Sequence, residues 1–185
     1  MNSSEDLIVR ARGGDHEAFR LLFERYSKPM LSFIHDLVGE RDLAEELTQE
    51  TFVRAYHKLT ELRDDTKFAT WLFGIGRNVS REALRSRTTR PRASACEESS
   101  MLDWEAGGHS PADQLFGKEL TSAVNAALRA LDEDKRTVFI LRIFQQRSYG
   151  EIMAITGFSL AKVKTDLHRA RIEVRQRIRP YRESF

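Results

Sequence analysis

The chain has 185 residues, a formal net charge of +2, 41% hydrophobic and 31% charged residues, enough for one or two small domains of ordinary soluble composition. Its one cysteine, Cys96, excludes an intrachain disulfide and fits a reducing compartment. No apolar run approaches the roughly 20 residues that a bilayer span needs, and the start Met-Asn-Ser-Ser-Glu-Asp lacks the order of a secretory signal, so a cytoplasmic protein with no membrane-inserted segment is expected.

Asp6 to Arg12 reads as a short helix ended by Gly13-Gly14, and Asp15 as the cap of a longer one. Ala18, Phe19, Leu22, Phe23 and Tyr26 form the apolar stripe of that helix. Pro29 predicts a break or kink near Ser27, before a second apolar segment that Gly39 closes. Asp42 reads as the next cap, opening a helix with Leu47, Thr51, Ala55 and Leu59 on its core face. Asp42, Glu46 and Glu50 recur at four-residue steps and, with Gln49, make an acidic ridge. Such a ridge is either a solvated face or a docking surface. It is not a carboxylate metal site, because no glutamate has a histidine three residues after it.

After the loop Arg63-Asp64-Asp65-Thr66, a helix resumes through Phe68, Trp71, Leu72, Ile75 and Val79. Arg77, Arg81 and Arg85 lie on another side of it, with Asn78 beside them. A ladder of arginines next to aromatics can grip single-stranded nucleic acid; Trp71, within the apolar stripe, reads as core. Periodicity stops between Pro91 and Gly108, which reads as a flexible linker. Cys96, in this polar stretch, reads as an inert thiol. Ser110-Pro111-Ala-Asp113 restarts helix, a turn is expected at Asp132 to Asp134, and Val138, Ile140, Leu141 and Phe144 line the helix after it.

The last stretch is the most specific. Ser148 and Glu151 make a capping box, Gly157 a left-handed stop, and Ser159 a second cap. Val163, Leu167 and Ala170 face inward, leaving Lys162, Lys164, Thr165, His168, Arg169 and Arg171 outside. Two helices, a glycine turn and a basic outer face are the parts of a helix-turn-helix. Lys135 to Phe185 holds 12 Lys and Arg against 4 Asp and Glu, a local +8 that suits a polyanion partner.

Taken together, the segments Asp42 to Tyr56, Phe68 to Asn78, Arg136 to Ile152 and Val163 to Arg171 resemble, in that order, the small extracytoplasmic-function (ECF) group of bacterial sigma factors. The resemblance implies an all-α chain of two helical domains: region 2 over 1–90, a linker over 91–110 and region 4 over 111–185. It implies that Asp42, Glu46, Gln49 and Glu50 dock on the β′ clamp of core RNA polymerase, with the β flap as a second polymerase contact. Arg63, Asp64, Asp65, Thr66 and Lys67 would hold a base flipped from the minus-ten element, and Arg77, Asn78, Arg81 and Arg85 the separated strand. Ser159, Lys162, Lys164, Thr165, His168 and Arg169 would meet the minus-thirty-five element in the major groove.

The resemblance further implies an anti-sigma partner, and neither a cofactor, a metal nor a small-molecule substrate. Two positions depart from the family's pattern. Asp166 stands where arginine is common, and Met153 where a small alanine is usual. A one-component helix-turn-helix regulator is the alternative, but it leaves the arginine ladder and acidic ridge without a task. No nucleophile elbow, phosphate loop or metal spacing suggests an enzyme.

Overall fold

The computed structural model describes residues 3–89 and 121–182, which are helical with no strand among them. The first domain comprises α1 (Ser4–Arg12), α2 (His16–Val38), α3 (Arg41–Lys58) and α4 (Phe68–Thr89). The second comprises α5 (121–129), α6 (Glu133–Phe139), α7 (Tyr149–Thr156) and α8 (Leu160–Arg182). The stretch expected to be a linker, with Cys96, and the restart at Ser110 lie outside the described residues.

Asp15 caps α2 as expected, its carboxylate accepting from the Ala18 amide at 3.1 Å. Pro29 does not break α2, which runs 23 residues through it. A proline inside a helix removes one hydrogen bond and costs about 3 kcal/mol. Burial of Ala18 and Leu22 before it, and of Met30, Phe33, Ile34 and Leu37 after it, holds both halves to one core and outweighs that loss. Asp42 is not the cap of α3 either. Glu40 occupies that position without a side-chain cap bond, and Asp42 sits in the first turn, where a carboxylate favours the helix dipole.

The expected core face of α3 is buried at Leu47, Thr51, Ala55 and Leu59. It packs on α2 and α4, where Phe33 meets Phe73 at 5.0 Å and Tyr26 meets Phe68 at 5.3 Å. Gly76 marks the tightest approach. A Cβ added there would lie 2.6 Å from Met30 Sδ, so the absent side chain makes room for a buried thioether.

In the second domain the turn falls earlier than the expected Asp132 to Asp134. Asp132 is the cap of α6, accepting from the Lys135 amide at 2.9 Å, and Glu133 and Asp134 are already helical. One π turn, Ile140–Phe144, closes α6 and is sealed by the Gln145 amide on the Ile140 carbonyl at 3.0 Å. That widened turn buries Ile140 and Leu141 but leaves Phe144 40% exposed, where regular periodicity placed it inside.

The capping box is formed in full. The Glu151 amide donates to Ser148 Oγ at 3.2 Å, and the Ser148 amide to Glu151 Oε2 at 2.8 Å. Gly157 follows at φ 74°, in the left-handed region. The Lys162 amide then donates to Ser159 Oγ at 3.3 Å, capping α8. Ser148→Ala should lower the stability of the full chain by about 1 kcal/mol; an unchanged urea midpoint and slope would refute that cap's contribution.

Candidate nucleic-acid interface

Three sets of expected site residues occupy three elements. On α3, Asp42, Glu46 and Gln49 are exposed and Glu50 is half-buried. Arg54 joins Glu50 at 2.7 Å to Glu82 of α4 at 2.7 Å, tying the acidic helix to the arginine-bearing one. Beside the ridge lies a groove of about 440 Å³ lined by Phe19, Phe23, Gln49, Phe52, Val53 and Tyr56. Sequence periodicity assigned Phe19 and Phe23 to the core, yet Phe23 is 38% exposed, as are Val53 at 52% and Tyr56 at 36%. The signal that was available is Val53, an apolar residue off the stripe of its own helix.

The loop before α4 is a short 3-10 turn, Asp65–Lys67. Arg63, Thr66 and Lys67 face solvent, while Asp64 and Asp65 are half-buried and engaged. Asp64 accepts from the Thr66 hydroxyl and amide and lies 3.0 Å from Lys67 Nζ. The Thr66 hydroxyl first, then Lys67, hold its carboxyl below the ordinary range. Asp65 turns inward to Arg12, which also donates to the Leu62 carbonyl at 3.1 Å and reaches the Leu59 carbonyl at 3.5 Å. Arg12 thus anchors the loop to α1. Sequence reasoning missed it, because its partners lie about fifty residues away.

On α4, Asn78 and Arg85 are exposed. Trp71 is half-buried and packs on Phe68 at 5.8 Å, in line with the core reading. Arg77 is 7% exposed, its guanidinium carbon 5.3 Å from the centroid of the Phe158 ring. Burial first, then neighbouring Arg81, lowers its pKa against the opposing pull of Asp134 and Glu133. Arg81 Nε lies 2.8 Å from Glu133 Oε1 of α6. Two rungs of the ladder therefore meet the second domain.

On α8, Val163, Leu167 and Ala170 are buried, and Ser159, Lys164, Thr165, His168 and Arg169 are exposed, as the helix-turn-helix reading expects. Lys162 differs. Its Nζ is held by Asp166 at 2.8 Å and Asp134 at 3.0 Å, 4.5 Å from the Phe158 centroid. The unusual Asp166, 7% exposed, is spent on that tie and is not turned outward to a base.

Two helical domains, one with an arginine-bearing helix beside an acidic one and the other with a helix-turn-helix, define a DNA-binding protein of transcription. Residues 22–90 match the family model for sigma-70 region 2, and residues 121–174 that for sigma-70 region 4. The chain is 31% identical over 179 residues to the ECF RNA polymerase sigma-E factors of Salmonella typhimurium and Escherichia coli K12, covering 94% of this chain and 93% of each relative. It is 30% identical to the RNA polymerase sigma-H factor of Pseudomonas aeruginosa, over 95% of this chain and 94% of that one.

Among solved structures, CnrH in complex with the cytosolic domain of CnrY superposes with a TM-score of 0.68 at 26% identity, covering 92% of this chain and 94% of that one. RpoE of Bartonella quintana, in complex with the anti-sigma factor NepR, shares the fold with a TM-score of 0.71 at 22% identity, covering 87% and 96%. The chain belongs to the sigma-70 family, in its ECF group, and directs promoter-specific transcription.

Proposed function

We propose that residues 1–90 clamp onto core RNA polymerase and hold the melted minus-ten strand, that 91–110 link, and that 111–185 read the minus-thirty-five element. The observation that carries this reading is the split of function-bearing faces between two domains. Lys164, Thr165, His168 and Arg169 stand outward on α8 over a buried Val163-Leu167-Ala170 stripe, while Asn78, Arg81 and Arg85 line α4. Lysine and arginine on such a helix can meet guanine edges or phosphates in the major groove.

On α3, Gln49 lines the aromatic groove, and the exposed acids Asp42 and Glu46, with Glu50, lie on the same helix. An apolar trough on an acid-bearing helix suits a helix that is apolar on one side and basic on the next, the chemistry this reading gives to the β′ clamp. The loop Arg63 to Lys67, anchored by Arg12, would cradle a flipped base; extrusion costs a few kcal/mol, so a fixed pocket must offset it. The β flap and an anti-sigma factor are the further partners that ECF membership carries.

In this reading the chain is not an enzyme and works in the cytoplasm. No helix among the described residues is long and apolar enough to cross a membrane, and no acid, histidine or cysteine cluster among them suits a metal. The one-component regulator is not favoured, since both sigma domains match.

Run-off transcription from a genomic promoter library, with core polymerase present or absent, tests the reading. Initiation at specific sites only when both are present supports it; tight operator binding indifferent to polymerase refutes it. Lys164→Ala should lower the salt slope of binding to the upstream element by about 0.9 if it meets one phosphate. An unaltered slope removes Lys164 from the phosphate contacts.

A further inference from the structure

We propose that α8 holds more DNA than the minus-thirty-five element itself: Arg175, with Arg171 before it, grips the phosphate backbone beside that element. The inference rests on the reading of α8 given under Proposed function and extends it past the region 4 match, which ends at residue 174.

α8 runs on to Arg182, and residues 175–182 add Arg175, Arg177, Arg179 and Arg182 with no acid among them. Lys164, His168, Arg171 and Arg175 follow one another at steps of four, three and four, so they share one side of the helix. All four are exposed. The two acids within α8 lie off that side and are engaged, Asp166 with Lys162 at 2.8 Å and Glu173 with Lys135 at 2.8 Å. Arg177, on another side, leans back on Glu173 and donates to its carbonyl at 3.3 Å. Among the described residues no carboxylate pairs with Arg171 or Arg175. Like charges at that spacing repel and weaken a helix, so the row does nothing for the stability of α8.

A polyanion laid along the row turns that repulsion into attraction. At 1.5 Å per residue, Arg175 stands about 16 Å along the axis from Lys164. The major groove is about 12 Å wide. A helix seated in it by Lys164, Thr165 and His168 therefore carries position 175 beyond the base edges to a bounding phosphate strand. An arginine there meets phosphate oxygens with its planar fork, and such contacts fix the register of a protein on DNA without reading sequence.

Arg175→Ala is the test, because alanine favours the helix and no ion pair among the described residues is lost. Holoenzyme is assembled from the full chain and core polymerase on a duplex promoter selected by run-off transcription. The salt slope of the variant should be lower than that of the wild type by about 0.9, and that of the double variant with Arg171→Ala by about 1.8. The ranking of minus-thirty-five sequences and the affinity for core polymerase should not change. A methylphosphonate, which removes one phosphate charge, is then moved along both flanks of the element. At one position it should weaken binding of the wild type and leave that of Arg175→Ala unaffected. Arg177→Ala should match the wild type in every readout.

A slope and a methylphosphonate profile equal to those of the wild type overturn the inference and leave α8 as a reader of the element. An altered ranking of sequences makes Arg175 a base contact and overturns the backbone role. Weaker binding to core polymerase with an unchanged slope overturns it in favour of a protein surface. A wild type indifferent to the minus-thirty-five sequence overturns the reading of α8 as well. The lower slope together with the lost methylphosphonate effect supports the proposal.

Discussion

Replacing Glu46 and Glu50 together by lysine should weaken binding to core polymerase about a hundredfold, with the helical circular dichroism unchanged. Like charges brought together in an interface cost several kcal/mol, and about 2.8 kcal/mol already makes two decades in affinity. Glu46 is exposed and has no packing role to lose. Glu50 does leave Arg54 with only Glu82 as a partner, and a lysine four residues from Arg54 adds a repulsion of about 0.5 kcal/mol. That is small beside the burial of Leu47, Thr51, Phe52 and Ala55, which hold α3 in place. A fluorescence titration of labelled chain with core polymerase measures the effect. Equal affinities for the variant and the wild type would take the ridge out of the docking surface.

Arg12→Ala should be the second large effect, and it acts on a loop that Arg12 does not belong to. Its guanidinium ties Asp65, the Leu62 carbonyl and the Leu59 carbonyl to α1. Truncation leaves the half-buried Asp65 carboxylate and the Leu62 carbonyl without this donor, while the Leu59 carbonyl keeps the Leu62 amide, a loss of about 2 kcal/mol of local order. At about 1.4 kcal/mol per decade, the equilibrium constant for the ordered loop falls roughly thirtyfold, and with it the proposed reception of a flipped base. Permanganate footprinting of the minus-ten element, with holoenzyme formed from the variant, should show opening reduced to that degree while binding to core polymerase stays unchanged. Full opening would show that the loop needs no anchor in α1.

The elements were legible in the sequence because their ends carry strong local chemistry. Asp15, Ser148 with Glu151, Gly157 and Ser159 each bond locally, within a few residues, and the structure places each as its residue type requires. The inward stripes on α3 and α8 followed from spacing alone. What was not legible depends on partners far along the chain. Pro29 looks like a break until the buried residues on either side of it are seen to share one core. Phe144 fits the helical period until the π turn shifts it outward.

The site residues divide in the same way. Lys164, Thr165, His168 and Arg169 keep the outward placement that their spacing predicts. Lys162 is part-exposed too, but Asp134, from another helix, and Asp166 pair with it. Nothing within α4 announces that Arg77 lies under a ring eighty-one positions later; only tertiary packing does.

Gly76 sets a limit on redesign. The outward positions of α4, such as Asn78, touch solvent, and a change there leaves the interior in place. On the buried side of the same helix, any side chain at position 76 would have to displace the Met30 sulfur, 2.6 Å from where a Cβ would stand. An engineer can therefore vary the solvent edge of this helix more readily than its notch, which is part of the scaffold.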